Sequence, residues 1–253
     1  MLSEERFNRI LIELKNKKAV TVTELVNLLN TSESTIRRDL TTLDKMGKLI
    51  KVHGGATSVD FDNELITEEK DFLSKLNLNY DEKRLIAEYA ATLIKSKDFV
   101  YIDAGTSTDL MIDFINVNDA VYVTNGIDHC KKLHERGCKV YIVGGEVKSS
   151  TGAIIGAEVV SSLEKYNFTK GFFGTNAISE KFGFTTPDIN EGIVKMEAIK
   201  RCKKSYILAD TSKFGKVKSF TFADIKDSTI ITTILNNKNI KKITNVIELT
   251  KAK

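Results

Sequence analysis

The sequence has few cysteines and no long apolar stretch. Its three cysteines, Cys130, Cys138 and Cys202, form no Cys-x-x-Cys pair, so reduced thiols are expected rather than a disulfide framework. No apolar run approaches the roughly 20 residues that a membrane-spanning helix needs. The start, Met1–Arg6, lacks the basic-then-apolar layout of a secretory signal. We therefore expect a cytoplasmic protein with no membrane partner.

The composition is that of an ordinary globular protein, with 42% hydrophobic and 28% charged residues in a chain of 253, a length that suits two domains. The net charge of +4 is unevenly distributed. Residues 1–58 hold ten Lys and Arg against seven Asp and Glu, whereas the rest of the chain is nearly balanced. A local basic surplus of this kind is typical of a segment that binds nucleic acid.

Residues 1–58 predict three helices and a hairpin. The first helix is indicated by apolar residues at helical spacing, namely Phe7, Ile10, Leu11 and Leu14. A capping box over Thr21–Glu24 begins the second helix, and Ser32 caps the third. The run 48–52 and the glycines that follow it predict two strands joined by a tight turn. Three helices followed by a hairpin are typical of a winged helix-turn-helix domain.

Residues 59–78 are acidic and only loosely periodic, which predicts a linker to a second domain at 79–253. In that domain apolar strands alternate with helices. The predicted strands are Phe99–Ile102, Ala120–Thr124, Lys139–Val143, Gly171–Gly174, Tyr206–Ala209 and Ile230–Ile234, and helices are predicted at 127–136, 157–166 and 188–202. This alternation indicates a larger α/β domain with a mostly parallel sheet covered on both faces.

The third predicted helix has a polar and basic outer face. With Ile36 and Leu40 in the core, the residues left for DNA are Ser32, Ser34, Thr35, Arg37 and Arg38. A recognition helix places its N-terminal residues in the major groove, where Arg can hold guanine through two hydrogen bonds. The alternative is a solvated face with an ion pair between Arg38 and Asp39. The helix-turn-helix context favours DNA.

The predicted hairpin adds two further candidates for DNA contact. Lys51 is expected to reach the DNA backbone, and His53 either contacts a phosphate or stabilises the turn.

A polar loop follows the first strand of the larger domain. It consists of Gly105 and three hydroxyl residues, Thr106, Ser107 and Thr108, and it leads into a helix. Ligands of open α/β sheets bind at the carboxyl ends of strands, and a helix start offers free N–H groups to a phosphate. The alternative is an ordinary capped turn. Polar or small residues also follow other strands and are expected to complete a pocket: Thr124, Asn125, Gly144, Gly145, Glu146, Asn176 and Lys213.

Two stretches of the sequence carry a family resemblance. The stretch from Ser32 to Leu40, which ends Thr-Ile-Arg-Arg-Asp-Leu, and the stretch Lys51–Ala56 resemble the signature of the DeoR family of bacterial sugar-metabolism regulators. The opening residues Met1–Arg6 are similar to those of fructose-operon repressors in that family. The resemblance implies a larger domain similar to ribose-5-phosphate isomerase, and a repressor that binds operator DNA. It implies no enzymatic activity and no cofactor. Because operators are usually read by paired subunits, a homo-oligomer, dimer or tetramer, is expected.

The resemblance also implies roles for individual residues of the larger domain. The residues assigned to the effector phosphate are Asp103, Gly105, Thr106, Ser107 and Thr108. The family's usual Gly-x-Asp reads Gly174-Thr175-Asn176 here, and an amide cannot act as a carboxylate base, so Asn176 is left with hydrogen bonding to a sugar hydroxyl. Glu191 and Lys195 either orient sugar oxygens or form an exposed ion pair. Lys213 either neutralises phosphate or is a solvated loop lysine.

Three functions are compatible with these features. The first is a repressor controlled by a phosphorylated sugar, for which the resemblance suggests fructose 1-phosphate. The second is an isomerase-like enzyme with an appended DNA-binding domain, and the third is a DNA-binding protein whose larger domain only oligomerises. Asn176 and the complete winged helix favour the first. No metal site is predicted, because His129, Cys130, His134 and Cys138 lack any standard zinc spacing.

Overall fold

The computed structural model describes residues 3–17, 19–46, 48–52, 54–57, 72–235 and 237–250. The chain divides into two units, Met1–Leu65 and Ile66–Lys253. The wing residue His53, the predicted helix stop Gly47 and most of the predicted linker lie outside the described residues.

The first unit is a winged helix-turn-helix. Its elements are α1 (Ser3–Lys17), β1 (Ala19–Thr21), α2 (Val22–Leu29), α3 (Glu33–Lys45), β2 (Ile50–Val52) and β3 (Gly55–Thr57). The three strands form an antiparallel sheet in the order β1-β3-β2. The three helices enclose a small core that includes Ile10, Leu25, Ile36, Leu40 and Leu43.

The helix starts predicted for this unit are confirmed. Thr21 caps α2 by accepting a hydrogen bond from the backbone N–H of Glu24 at 3.2 Å, and Glu24 accepts one from the N–H of Thr21 at 2.8 Å. Ser32 caps α3 through the N–H of Thr35 at 3.3 Å. The strand β1 was not predicted. Its neighbour β3 begins at Gly55, where a Cβ atom would lie 2.2 Å from the carbonyl oxygen of Val20, so only glycine allows the two strands to pair there.

The second unit is built on a parallel sheet of seven strands. The strands in spatial order are β15 (Val246–Glu248), β14 (Thr229–Thr232), β12 (Ser205–Leu208), β9 (Lys170–Gly174), β4 (Phe99–Ile102), β5 (Val121–Thr124) and β6 (Lys139–Ile142). The helices are α4 (Phe72–Leu76), α5 (Tyr80–Thr92), α6 (Thr106–Ile112), α7 (Ile127–Glu135), α8 (Ala157–Leu163), α9 (Ile189–Lys200) and α10 (Ile240–Ile243). The predicted mostly parallel α/β fold is confirmed.

Both faces of this sheet are covered. Along β4, Tyr101 packs into one apolar cluster with Val159 of α8 and Val194 of α9. Its neighbour Val100 packs into a second cluster with Ile86 of α5. Successive side chains of a strand point to opposite faces, and because both faces are covered, β4 is apolar throughout.

Several elements of the second unit were not predicted. They are the hairpin of β7 (Glu146–Lys148) and β8 (Ala153–Ile155), the small antiparallel sheet of β10 (Ala177–Ser179), β11 (Gly183–Thr186) and β13 (Phe220–Ala223), and the edge strand β15. The helix α4 lies inside the stretch expected to be a linker. Among the described residues, no helix has the length and apolar character that crossing a membrane requires.

Candidate functional site

A cleft that opens to solvent lies at the carboxyl ends of β4, β9 and β12. The loop after β4 and the residues after β9 form its floor, and α5 and α9 form its sides. The lining residues are Phe72, Lys75, Leu78, Lys83, Ala104, Gly105, Thr106, Ser107, Thr151, Gly174, Thr175, Asn176, Glu191, Lys195, Leu208 and Lys213. The predicted loop residues Gly105, Thr106 and Ser107 therefore share one cleft with Asn176 and Lys213.

A buried ion pair lies beside the cleft floor. Lys195 is 5% exposed and its ammonium group pairs with Oδ2 of Asp103, which is 1% exposed. The same oxygen accepts a hydrogen bond from the backbone N–H of Gly174 at 3.0 Å. Asp103 thus joins the end of β4 to the end of β9 and to α9. The alternative of an exposed ion pair between Glu191 and Lys195 is wrong, because both side chains are buried.

The loop after β4 is supported from below. The Thr108 hydroxyl donates to the carbonyl oxygen of Asp103 at 2.6 Å, and Oδ1 of Asn125 accepts from the N–H of Ala104 at 2.9 Å. Thr108 and Asn125 were predicted to face the ligand, but they are buried and hold the loop in place instead. Thr106 and Ser107 are the hydroxyl residues that reach the cleft.

His129 is a support that the sequence reasoning missed. Its Nε2 lies 3.1 Å from the carbonyl oxygen of Gly105 and 3.2 Å from Oγ1 of Thr108. Burial lowers the pKa of His129, although Asp109 and Asp103 oppose the shift. In the sequence analysis, His129 was considered only as a metal ligand. Its position in the first turn of α7, directly after the end of a sheet strand, was the signal that could have indicated a role near the polar loop.

Lys83 is a second residue that the sequence reasoning missed, and it lines the cleft. Its side chain is 3% exposed; Nζ donates to Oγ1 of Thr106 at 3.1 Å and to the carbonyl oxygen of Lys75. Burial lowers the pKa of Lys83 to about 8, and the nearby charge of Asp210 opposes the shift. The signal in the sequence was its spacing, since Lys83 lies three and four residues before Ile86 and Ala87 on the apolar face of α5.

Lys213 also lines the cleft, and its side chain is partly buried. Its Nζ lies 3.9 Å from Oδ2 of Asp210, whose other oxygen accepts from Nδ2 of Asn79 at 2.8 Å. Lys213 is held at the end of β12, on the side of the cleft where Lys83 enters.

Glu191 and Asn176 contribute a carboxylate and an amide to the cleft. Glu191 accepts hydrogen bonds from Nζ of Lys148 and from Oγ1 of Thr151, both at 3.1 Å, so its charge is balanced locally. Oδ1 of Asn176 accepts from the hydroxyl of Thr186 at 3.1 Å. With its oxygen engaged in this way, the amide nitrogen of Asn176 is the group suited to meet a ligand oxygen.

Besides Thr108 and Asn125, four further predicted effector residues do not line the cleft. Gly144, Gly145 and Glu146 are exposed, and Glu146 pairs with Ile155 in the β7–β8 hairpin. The reason is that β6 is the edge strand, two positions away from β4 in the sheet, and the chain continues from it into this hairpin. Thr124 is buried and accepts from the N–H of Gly126 at 3.0 Å, which shapes the turn before α7.

The outer face of α3 presents most of the residues predicted to bind DNA. Ser34, Arg37 and Arg38 are exposed. Arg37 pairs with Glu33 at 2.5 Å, and Arg38 has no side-chain hydrogen bond or ion pair within the described part of the chain.

The alternative prediction of an ion pair between Arg38 and Asp39 is wrong. Asp39 is buried and binds Arg6 of α1 at 2.7 Å, which joins the two helices. Thr35 is half-buried, and its hydroxyl lies 2.9 Å from that of Ser32, so both residues also serve the helix start. In β2, Lys51 is exposed and donates to Oγ1 of Thr41 at 2.7 Å.

Two family models match the two units. The DeoR-like helix-turn-helix domain matches residues 6–61, and the DeoR C terminal sensor domain matches residues 78–234. The chain belongs to the DeoR family. The family resemblance inferred from the recognition helix and the hairpin is thereby confirmed for this regulator.

Curated relatives of this DeoR-family regulator are similar over almost their whole length. The uncharacterized HTH-type transcriptional regulator FruR of Bacillus subtilis is 46% identical over 92% of each chain. The lactose phosphotransferase system repressor of Streptococcus mutans is 30% identical over 98% of this chain and 99% of its own. Among solved structures, ribose 5-phosphate isomerase A of Methanocaldococcus jannaschii matches 54% of this chain and 55% of its own, with 13% identity and a TM-score of 0.40.

Proposed function

We propose that this DeoR-family protein is a cytoplasmic, homo-oligomeric repressor of a sugar-utilisation operon. Its winged helix binds operator DNA, and its cleft binds a phosphorylated sugar, with fructose 1-phosphate favoured. Binding of the sugar phosphate changes operator affinity because the two states of the protein bind the ligand unequally.

The observation that carries the effector half of the proposal is the pairing of a buried lysine with the hydroxyl loop. Lys83 reaches Thr106 from α5, and Lys213 lines the same cleft. A buried cation is costly unless an anion or several acceptors compensate it. A phosphate monoester supplies that compensation, because it brings close to two negative charges and three strong acceptor oxygens.

The rest of the cleft suits the sugar part of such a ligand. Glu191 offers carboxylate acceptors and Asn176 offers an amide, and both line the cleft. Hydroxyl groups of a polyol both donate and accept hydrogen bonds, so a mixed set of this kind fits them.

Two features of the cleft support a sensor over the isomerase alternative. Asn176 cannot take a proton from a sugar carbon as a carboxylate can. The carboxylate of Asp103 is buried and bonded to Lys195 and Gly174, so it is already engaged. The similarity to a FruR regulator and to a lactose phosphotransferase system repressor supports a sugar-linked regulatory role.

The DNA half of the proposal is supported by the basic surface of the first unit. Arg37 and Arg38 project from α3, and Lys51 projects from β2. A recognition helix with an adjacent basic hairpin can contact base edges and phosphates together.

Calorimetry on the full chain tests the effector assignment directly. The ligands are fructose 1-phosphate, fructose 6-phosphate, tagatose 6-phosphate, free fructose and inorganic phosphate. We expect at least one sugar phosphate to bind and free fructose to bind far more weakly, because each charge-assisted hydrogen bond contributes roughly 1.5–3 kcal/mol. Equal affinities for fructose and its phosphates would refute the assignment.

A further inference from the structure

The helix α4 forms one wall of the cleft. Phe72, Lys75 and Leu78, in and just after α4, line the cleft together with the hydroxyl loop. The N–H of Phe72 also donates to the carbonyl oxygen of Ser150 at 3.2 Å. In the sequence, α4 is the first described element after residues 58–71, which follow the winged helix. A ligand that stabilises α4 therefore acts on the described element that follows the DNA-binding unit in the sequence.

One side chain connects α4 to the hydroxyl loop. The ammonium group of Lys83 donates to the carbonyl oxygen of Lys75, at the C-terminal end of α4, and to Oγ1 of Thr106 in the loop. Lysine has three N–H donors in a tetrahedral arrangement, so these two bonds leave a third donor. Because Lys83 itself lines the cleft, that donor is available to a ligand.

We infer that Lys83 is the coupling residue of this regulator: a bound phosphate takes its third N–H and thereby fastens α4 to the loop that holds the phosphate. The inference rests on the proposed function, since it assigns the regulatory step to the same cleft. Lys83 acts on DNA binding as a positioning residue, through α4, and needs no contact with DNA.

The electrostatics of the site give the step its direction. Without a ligand, burial destabilises the charged form of Lys83 and lowers its pKa to about 8, so its hold on the Lys75 carbonyl weakens as it loses its proton. A phosphate dianion nearby favours the charged form, and hydrogen bonds from a charged donor are the stronger ones. Ligand binding therefore strengthens the bond to α4.

Hydrogen–deuterium exchange of the full chain measures this step. Each protein is studied alone and with saturating fructose 1-phosphate, or with whichever sugar phosphate calorimetry shows to bind. In the wild type at about pH 9, where most of the ligand-free Lys83 is neutral because its pKa is about 8, we expect amides of residues 72–78 to exchange more slowly with ligand, by up to about tenfold. In Lys83→Met, the same amides should exchange faster than wild type without ligand and gain no protection at saturation.

Lys213→Met is the matched control, because Lys213 lines the same cleft from the end of β12, where its ammonium group lies 3.9 Å from Asp210. It should bind the ligand less tightly, yet at saturation it should protect residues 72–78 as the wild type does. The ligand-induced change in operator affinity should follow the same pattern, lost in Lys83→Met and retained in Lys213→Met.

Two results would overturn the inference while leaving the proposed function intact. One is measured sugar-phosphate binding to the wild type with unchanged or faster exchange at residues 72–78. The other is a Lys83→Met variant that still shows full protection at saturation. If none of the sugar phosphates binds the wild type, the proposed function is wrong and the inference is wrong with it.

Discussion

Asp103 and Lys195 form a buried ion pair although 92 residues separate them in the sequence. The pair joins the first strand of the larger sheet to the helix that borders the cleft. It fixes the position of Asp103, which directly precedes the hydroxyl loop. We therefore expect both residues to affect the stability of the protein as much as its ligand binding.

Breaking this pair from one side should be costly. We expect Asp103→Asn or Lys195→Met to lower the free energy of unfolding by about 3–5 kcal/mol, because each leaves a buried charge or polar group without its partner. The double variant should lose clearly less than the sum of the two. Urea denaturation followed by circular dichroism checks this in a double-mutant cycle. Additive losses would show that the two residues are not coupled.

On α3, Arg38 should matter more to DNA than to folding. Arg38→Ala is expected to weaken binding to the operator by roughly 1–3 kcal/mol at fixed salt, because the exposed guanidinium can hold guanine or phosphate. The melting temperature should stay the same, since Arg38 has no side-chain partner in the described part of the protein. Arg37→Ala should also weaken binding, because it removes a cation and leaves the carboxylate of Glu33 unpaired on the face proposed to meet DNA. Fluorescence anisotropy with an operator obtained by in vitro selection measures both effects.

Lys45→Ala, at the C-terminal end of α3, is the control for these two variants and should bind the operator nearly as the wild type does. Wild-type affinity in both arginine variants would contradict the assignment of α3 as the recognition helix.

The affinity for a sugar phosphate should depend on pH through Lys83. Below its pKa of about 8 Lys83 is already charged, and the phosphate is a dianion above about pH 6. As the pH rises beyond 8, the free protein loses this proton and must take it up again on binding. The affinity is therefore expected to fall, by at most about tenfold per pH unit. Calorimetry between pH 7 and about pH 9.5 measures the slope; Lys83→Met should lack this component, and a flat wild-type profile would argue against Lys83 as a phosphate ligand.

The hydroxyl loop should recognise the phosphate and not the sugar. Replacing Thr106 by Val and Ser107 by Leu together should abolish sugar-phosphate binding, because both hydroxyls are lost and the new side chains fill the floor of the cleft. The fold should persist, since the buried supports of the loop, Thr108 and His129, are unchanged. Phosphate affinity retained in the double variant, measured by calorimetry, would place the phosphate elsewhere.

Local sequence signals predicted the local structure well. The caps at Thr21 and Ser32 depend on residues three positions away, and they form as expected. The hydroxyl loop after β4 was also visible, because a strand, a glycine and a helix follow one another in the sequence. The central strands were predicted from apolar runs for the same reason.

What the sequence could not supply depends on contacts between distant segments. Lys83 looks like a surface lysine until α5 is placed against the cleft, and β1 is only three residues long and pairs with a strand 36 positions further on. Gly144 and Gly145 follow a strand as a cleft residue would, but the chain there turns into a hairpin whose presence depends on pairing with β8. Polar residues at the end of a strand therefore predict a pocket only when the path of the chain after that strand is known.

The most direct test of the whole account is operator affinity measured with and without the sugar phosphate. We predict that saturating fructose 1-phosphate, or another ketose phosphate shown to bind, changes the operator dissociation constant of the wild-type protein by about 5–150-fold, the usual range of allosteric coupling. Free fructose at the same concentration should change it little. An operator affinity that no sugar phosphate alters, or that free fructose alters equally, would contradict the central claim that this cleft controls DNA binding by sensing a phosphorylated sugar.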